Sequence, residues 1–280
     1  MTIWRSNPTK QNTQAISTIT DSRDVSFFTK HSLLVIHDVL PNLFLFCFYV
    51  LLAVVGNVPS IKKSKANEYK SDVRQDGAML HTRPSLQVIE ELNTTGKFEF
   101  MDHSVDEAEH SMEMHLPYLS KVFQGHNVKV VPILVGALNS QNEAMYGQLL
   151  SKYLDDPKNF FSISSDFCHW GTRFSYTYYD KSHGAIHKSI EALDRMGMEI
   201  IETGNPNAFK QYLQEYENTI CGRHPISVFL NMLQHCSSKV KIGFVRYEQS
   251  SQCKSMRDSS VSYASAAAKL DTPAEEDEQD

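Results

Sequence analysis

The chain has 280 residues, of which 41% are hydrophobic and 21% charged, with a formal net charge of -6. That is ordinary for a globular protein and long enough for one large domain or two small ones around a substantial core, a single α/β domain being the simplest form. No basic stripe marks a nucleic-acid surface, and five cysteines without a C-x-x-C pair suggest neither a disulfide framework nor a zinc ribbon and fit a reducing compartment.

In chain order, residues 1–84 form a divergent amino-terminal segment. About the first thirty are rich in Thr, Ser, Asn and Gln and lack apolar periodicity, the texture of a loosely attached segment. LFLFCFYVLLAVV, Leu43 to Val55, is then wholly uncharged and is followed by Lys62, Lys63 and Lys65. Extended back to Val39, the apolar run at 39–55 reaches about 17 residues, short of the roughly 20 of a membrane-spanning helix. It begins too late for a signal peptide. Two buried strands, SLLVIHDVL and FLFCFYVLLAVV, are the reading preferred over a membrane anchor, since aromatic and branched residues dominate. Membrane association is expected only if this run anchors the chain.

From residue 85 to 268 the pattern becomes regular. The segment from Ser111 to Phe123 reads as a helix that buries Met112, Leu116 and Leu119, with Glu109, His110, Glu113 and His115 on or before its first turns. HNVKVVPILVG is a near-continuous apolar run, as in a parallel strand covered on both faces. Ser140 and Glu143 make an S-x-x-E capping box for a helix that carries Met145, Leu149 and Tyr153 on one face and stops before Pro157. NFFSIS is the next strand.

Ile186, Ile190, Leu193, Met196 and Ile200 recur at spacings of three and four, which predicts an amphipathic helix. Asn205 and Pro206 begin another, with Phe209, Leu213 and Tyr216 inward, and Pro225 begins a third through Val228, Phe229 and Met232. KIGFVRYEQ closes the series as a strand, and the acidic residues 269–280 read as a solvated, disordered tail. Strands alternating with helices predict an α/β fold with a largely parallel or mixed sheet flanked by helices, whose ligands gather beyond the carboxyl ends of the strands.

SSDFCHWG, Ser164 to Gly171, lies at such an end. Its Asp166 and His169 would serve as metal ligands or as an acid and base pair, or else as turn residues satisfied by the backbone. Cys221, in NTICGRHP, precedes a helix start with Arg223 and His224 beside it. Positive potential there favours a thiolate, although such a cysteine also occurs as a small buried apolar group. Trp170, Arg223 and His224 are the candidate pocket residues, and Cys168, Cys236 and Cys253 read as structural.

EHSMEMHLPY, VPILVGAL, SKYLDDP, SSDFCHWG, FSYTYYD, NTICGRHPISV and SSQCKSMRDSSVSYA occur in this order and register over roughly Pro84 to Ala266. Together they closely resemble the Memo family, mediators of cell motility driven by receptor tyrosine kinases. The resemblance implies a fold like that of the class III extradiol (LigB-type) dioxygenases and a copper or iron site to which Asp166, His169 and Cys221 correspond. It also implies redox signalling and docking of phosphotyrosine-containing receptor peptides in the cytoplasm. The alternatives are a metal-dependent oxidoreductase of the dioxygenase fold and an inactive partial-domain variant. The family's upstream His-Ala-Gly-Tyr and Gly-Pro-Ser-His-His motifs, each bearing a metal-side histidine, do not occur here, and His37 is a distant candidate for the second.

Overall fold

A computed structural model describes residues 2–3, 32–35, 49–56, 83–101, 111, 115, 119, 123, 128–156, 158–237 and 239–270. Lys269 and Leu270, expected in the tail, end a strand instead, while the tail from 271 onward, Met112, Leu116, His110, Glu113, His37 and the first part of the apolar run lie outside the described residues.

Among the described residues the chain is a mixed α/β structure built on a ten-stranded sheet. The strands are β1 (Thr2–Ile3), β2 (Ser32–Val35), β3 (Tyr49–Gly56), β4 (Arg83–Pro84), β5 (Glu99–Phe100), β6 (Val128–Val135), β7 (Asn159–Ile163), β8 (His169–Trp170), β9 (Val240–Gln249) and β10 (Ser260–Leu270). Their order is β5-β1-β6-β3-β7-β2-β10-β8, with β4 beside β6 and β9 beside β10. The helices are α1 (Leu86–Thr94), α2 (Ser140–Asp155), α3 (Ile186–Glu202), α4 (Pro206–Tyr216) and α5 (Arg223–Leu233).

The second half of the apolar run is a strand. Tyr49 to Gly56 pairs with β6 along one side, and Leu51 to Val55 pairs with β7 along the other. Both neighbours of β3 are antiparallel to it, whereas β6 also meets β4 in parallel, so the sheet is mixed rather than largely parallel. The near-continuous apolar character of β6, interrupted only by the half-buried Lys129, reflects burial of both its faces, a requirement that strand direction does not alter. No helix among the described residues is long and apolar enough to cross a membrane.

Local expectations were met where a cap or a turn residue dictates the structure. Asn205 accepts from the backbone N–H groups of Asn207 and Ala208 and leads into Pro206 at the start of α4. They shifted where tertiary packing intervened. Asn139, not Ser140, caps α2 by accepting from the Asn142 N–H, which leaves Glu143 available elsewhere. Helix α5 begins at Arg223, two residues before Pro225, because a proline in the first turn gives up no intrahelical bond.

Along α3 the buried face runs through Ile186, Ile190, Leu193, Asp194, Gly197, Met198 and Ile201, while Met196 is exposed. The stripe continues from Leu193 at a step of four, to Gly197. That glycine carries no apolar signal, yet a Cβ there would lie 2.9 Å from the Tyr212 hydroxyl of α4.

Helices α2 and α5 cross at a second glycine. A Cβ on Gly147 would stand 2.4 Å from Cβ of Asn231 and 2.8 Å from its backbone carbon. Gly147→Ala therefore has to push the helices apart, a cost of about 1–3 kcal/mol that outweighs the roughly 1 kcal/mol gained in helix propensity. Urea unfolding should show a net loss of up to about 2 kcal/mol for this variant, whereas Gly243→Ala in β9, with nothing within 4 Å of the added carbon, should not lose stability.

Candidate metal centre

Two loops build the site. The first leaves the carboxyl end of β7 and is drawn along β10: the Phe167 N–H donates to Ser262 O, and the Ser262 N–H donates back to Cys168 O, both at 2.9 Å. His169 and Trp170 then pair with Val261 and Ser260 as β8. The second loop, Asn218 to Gly222, enters α5 and is fastened to the first. The Cys221 N–H donates to Asp166 O at 3.0 Å, and the Gly222 N–H to Ser165 Oγ at 2.9 Å. Thr219 Oγ1 accepts from the His169 N–H at 2.7 Å and donates to His169 O at 3.1 Å.

These contacts bring Asp166, His169 and Cys221 together, with one ligand atom of each within 4.8 Å of the others. Asp166 and His169 are partly buried and Cys221 is buried. His169 Nε2 lies 3.6 Å from Asp166 Oδ2. Its Nδ1 faces two backbone carbonyls, Phe167 O at 3.1 Å and Thr219 O at 3.3 Å. Carbonyls only accept, so Nδ1 carries the proton, and in the neutral ring the Nε2 lone pair is turned toward the carboxylate. A cation between the two would turn that repulsion into coordination. Coordination by Cys221 requires its thiol in the reduced, deprotonated form.

The other sequence candidates take different places. Trp170 is fully buried, and its indole N–H donates to Tyr178 O at 2.7 Å, so it supports the loop from within. His224 Nδ1 donates to Glu143 Oε1 of α2 at 2.8 Å, with both side chains almost enclosed. This is the use to which the supposed capping-box glutamate is put. Arg223 is half-buried at the first position of α5. Of the histidines in EHSMEMHLPY, His115 is buried, its Nδ1 2.7 Å from Ser162 Oγ of β7. Cys168 and Cys253 are buried free thiols, and desolvation raises the Cys168 thiol so far that it stays protonated.

Three further side chains stand by the site, and of these Tyr263 and Asp194 escaped sequence reading, whereas Phe174 opens the aromatic run FSYTYYD. Phe174 sets its ring edge-on to His169 at 5.1 Å, with the Arg173 guanidinium stacked over it at 4.7 Å. Tyr263 of β10 has its phenol pushed up to about 12 by burial and by the Asp166 carboxylate, so it stays neutral there.

The third is Asp194, fully buried in α3 beneath both loops. Its Oδ1 accepts from the Cys168 N–H at 3.3 Å and from Asn218 Nδ2 at 2.9 Å, and its Oδ2 accepts from the Tyr247 hydroxyl at 2.9 Å. Burial raises its carboxyl from the ordinary range to about 6, against the opposing pull of hydrogen bonds from Ser262, Asn218, Tyr247 and the Cys168 N–H. The only early signal was its place on the helix. Asp194 follows Leu193 on a face otherwise made of Ile, Leu and Met.

The Memo-like protein family matches residues 82–267. "Protein MEMO1" of Xenopus laevis is 55% identical over 186 residues, which cover 65% of this chain and 63% of that protein. Its counterpart in Rattus norvegicus is 55% identical over 182 residues, 63% of this chain and 61% of that protein. "Protein memo-1 homolog" of Caenorhabditis elegans is 45% identical over 184 residues, 64% of this chain and 53% of that protein. The chain thus spans less than two-thirds of the length of these relatives.

Two outcomes test this geometry. Because the folded carboxyl of Asp194 holds its proton up to about 6 and the unfolded one only to about 3.8, ionisation costs stability as pH rises between those values and no further above them. Wild type should therefore lose on the order of 2 kcal/mol relative to Asp194→Asn between pH 4 and 6.5, read from denaturant midpoints at each pH. Gly222→Ala would place a carbon 2.5 Å from Ser164 O and from Cβ of Ser165. Amide resonances of Asp166 and Cys221 should shift in that variant while those of α2 stay in place.

Proposed function

The chain belongs to the Memo-like protein family, and from that premise we propose that Asp166, His169 and Cys221 form a copper or iron site in a protein that links activated receptor tyrosine kinases to cell motility and redox signalling. The observation that carries the metal reading is the convergence of their ligand atoms within 4.8 Å. A carboxylate oxygen, an imidazole nitrogen and a thiolate sulfur suit a first-row transition metal, whereas calcium or magnesium would call for oxygen ligands throughout. With Cys221 reduced, the donor set fits copper or iron. Either metal, once bound, would supply one-electron redox chemistry.

The residues themselves do the holding. The carbonyls of Phe167 and Thr219 lock the imidazole with Nε2 available. Asp166 contributes the negative charge, its backbone carbonyl tied to the N–H of Cys221. Phe174 packs edge-on against that imidazole.

The signalling role rests on the family resemblance, and with it docking of a phosphotyrosine peptide in the cytoplasm. Arg173 and Arg223 are the guanidinium groups carried by or beside the two loops, whereas His224 is already engaged by Glu143. A metal-dependent oxidoreductase with the extradiol-dioxygenase fold would use the same three ligands beyond β7. An inactive partial-domain variant is favoured by one observation, the missing upstream histidine motifs.

Metal analysis of the full chain purified under reductant separates these readings. Wild type should retain copper or iron, and Cys221→Ser or His169→Ala should weaken retention at least tenfold, while Cys236→Ser, outside the cluster, should leave it unchanged. Equal metal content in wild type and Cys221→Ser would sink the site and leave the partial-domain reading.

A further inference from the structure

Neither ligand loop is rigid by its own secondary structure. Asp166 sits outside any helix or strand, and Cys221 lies in a turn two residues ahead of α5. The Cys168 N–H that Asp194 binds lies between Asp166 and His169, and the Asn218 amide it binds lies three residues before Cys221. Behind the carboxylate, the Tyr247 hydroxyl of β9 lies 3.2 Å from Ser262 Oγ of β10, and the Asn218 amide also reaches the Tyr212 hydroxyl of α4 at 2.8 Å. One carboxylate thus joins both ligand loops to α3 and to β9, and through these hydroxyls to α4 and β10. Bonds accepted by an ionised carboxylate are roughly twice as strong as neutral ones. Side chains that orient metal ligands from outside commonly change affinity by about 10–100-fold when altered.

We propose that Asp194 is a positioning residue for the Asp166, His169 and Cys221 cluster: its buried carboxylate clamps the two loops that carry these side chains and thereby sets the affinity of the cluster for a metal ion. The affinity clause rests on the metal reading above; the clamp itself does not. The buried apolar side chains of α3 contribute packing. Asp194 adds a common anchor beneath two loops that are also bonded to each other through Thr219, Cys221 and Gly222.

Amide hydrogen exchange and Co(II) binding under reductant, measured on the full chain, test the two clauses separately. Asp194→Asn keeps the volume and one acceptor oxygen, and Asn218→Ala cuts the tie to the second loop alone. In both variants exchange at Phe167, His169, Cys221 and Gly222 should quicken about tenfold relative to Val131 and Leu150, and Co(II) should bind about 10–100-fold more weakly, with altered thiolate-to-metal absorption. Unchanged exchange at those four amides in Asp194→Asn overturns the clamp. A uniform rise that includes Val131 and Leu150 also overturns it, since that is a loss of general stability. Selective loosening with Co(II) affinity within twofold of wild type overturns the affinity clause. If wild type binds no Co(II), the metal reading fails, and exchange alone decides the clamp.

Discussion

At position 222 the two site loops lie closer together than any side chain would permit. A Cβ there would sit 2.5 Å from a backbone oxygen and from a neighbouring side chain of the first loop. Only because residue 222 is glycine does its N–H reach Ser165 Oγ and the preceding N–H reach Asp166 O. From that approach follow the meeting of the three ligand side chains, the register of the second loop into α5, and the position of Asn218 over Asp194. The contact is polar on both sides. It is therefore demanding in geometry, because each backbone group removed from water must find its partner.

The site is held largely by backbone groups and small hydroxyl side chains. Thr219 satisfies both the N–H and the carbonyl of His169, while two carbonyls fix the tautomer of its ring. Beneath this layer lies the one fully buried carboxylate described, Asp194, held by donors from both loops and two strands. Burying a carboxylate is costly unless it is well supplied with donors. The raised proton affinity of Asp194 measures the part of that cost its donors leave uncompensated.

The sheet extends beyond the segment that matches the family. Residues 82–267 contain β6 and β7, yet β3, from upstream of that segment, lies between them and pairs with both. Strand β2 likewise stands between β7 and β10. A divergent upstream stretch thus fills central positions of the sheet with apolar strands, which is why a long uncharged run here needs no membrane to explain it.

Much of the scaffold was legible in the residues themselves. Asn205 with Pro206, the β-rich apolar runs and the SSDFCHWG and NTICGRHP motifs are local signals, and local physics places them: a cap satisfies the nearest N–H groups, and an apolar run seeks cover wherever it lies. Strand direction, the buried face of α3 beyond Leu193, the pairing of Glu143 with His224 and the role of Asp194 could not be read that way. Each depends on which distant backbone or side chain arrives opposite it. A glycine at 147, 197 or 222 looks like a gap in a pattern until a neighbouring element is seen to need that space. The chain alone determined which groups were available for chemistry; the tertiary structure decided which of them meet, because desolvation and close approach are properties of pairs of segments and no single segment encodes them.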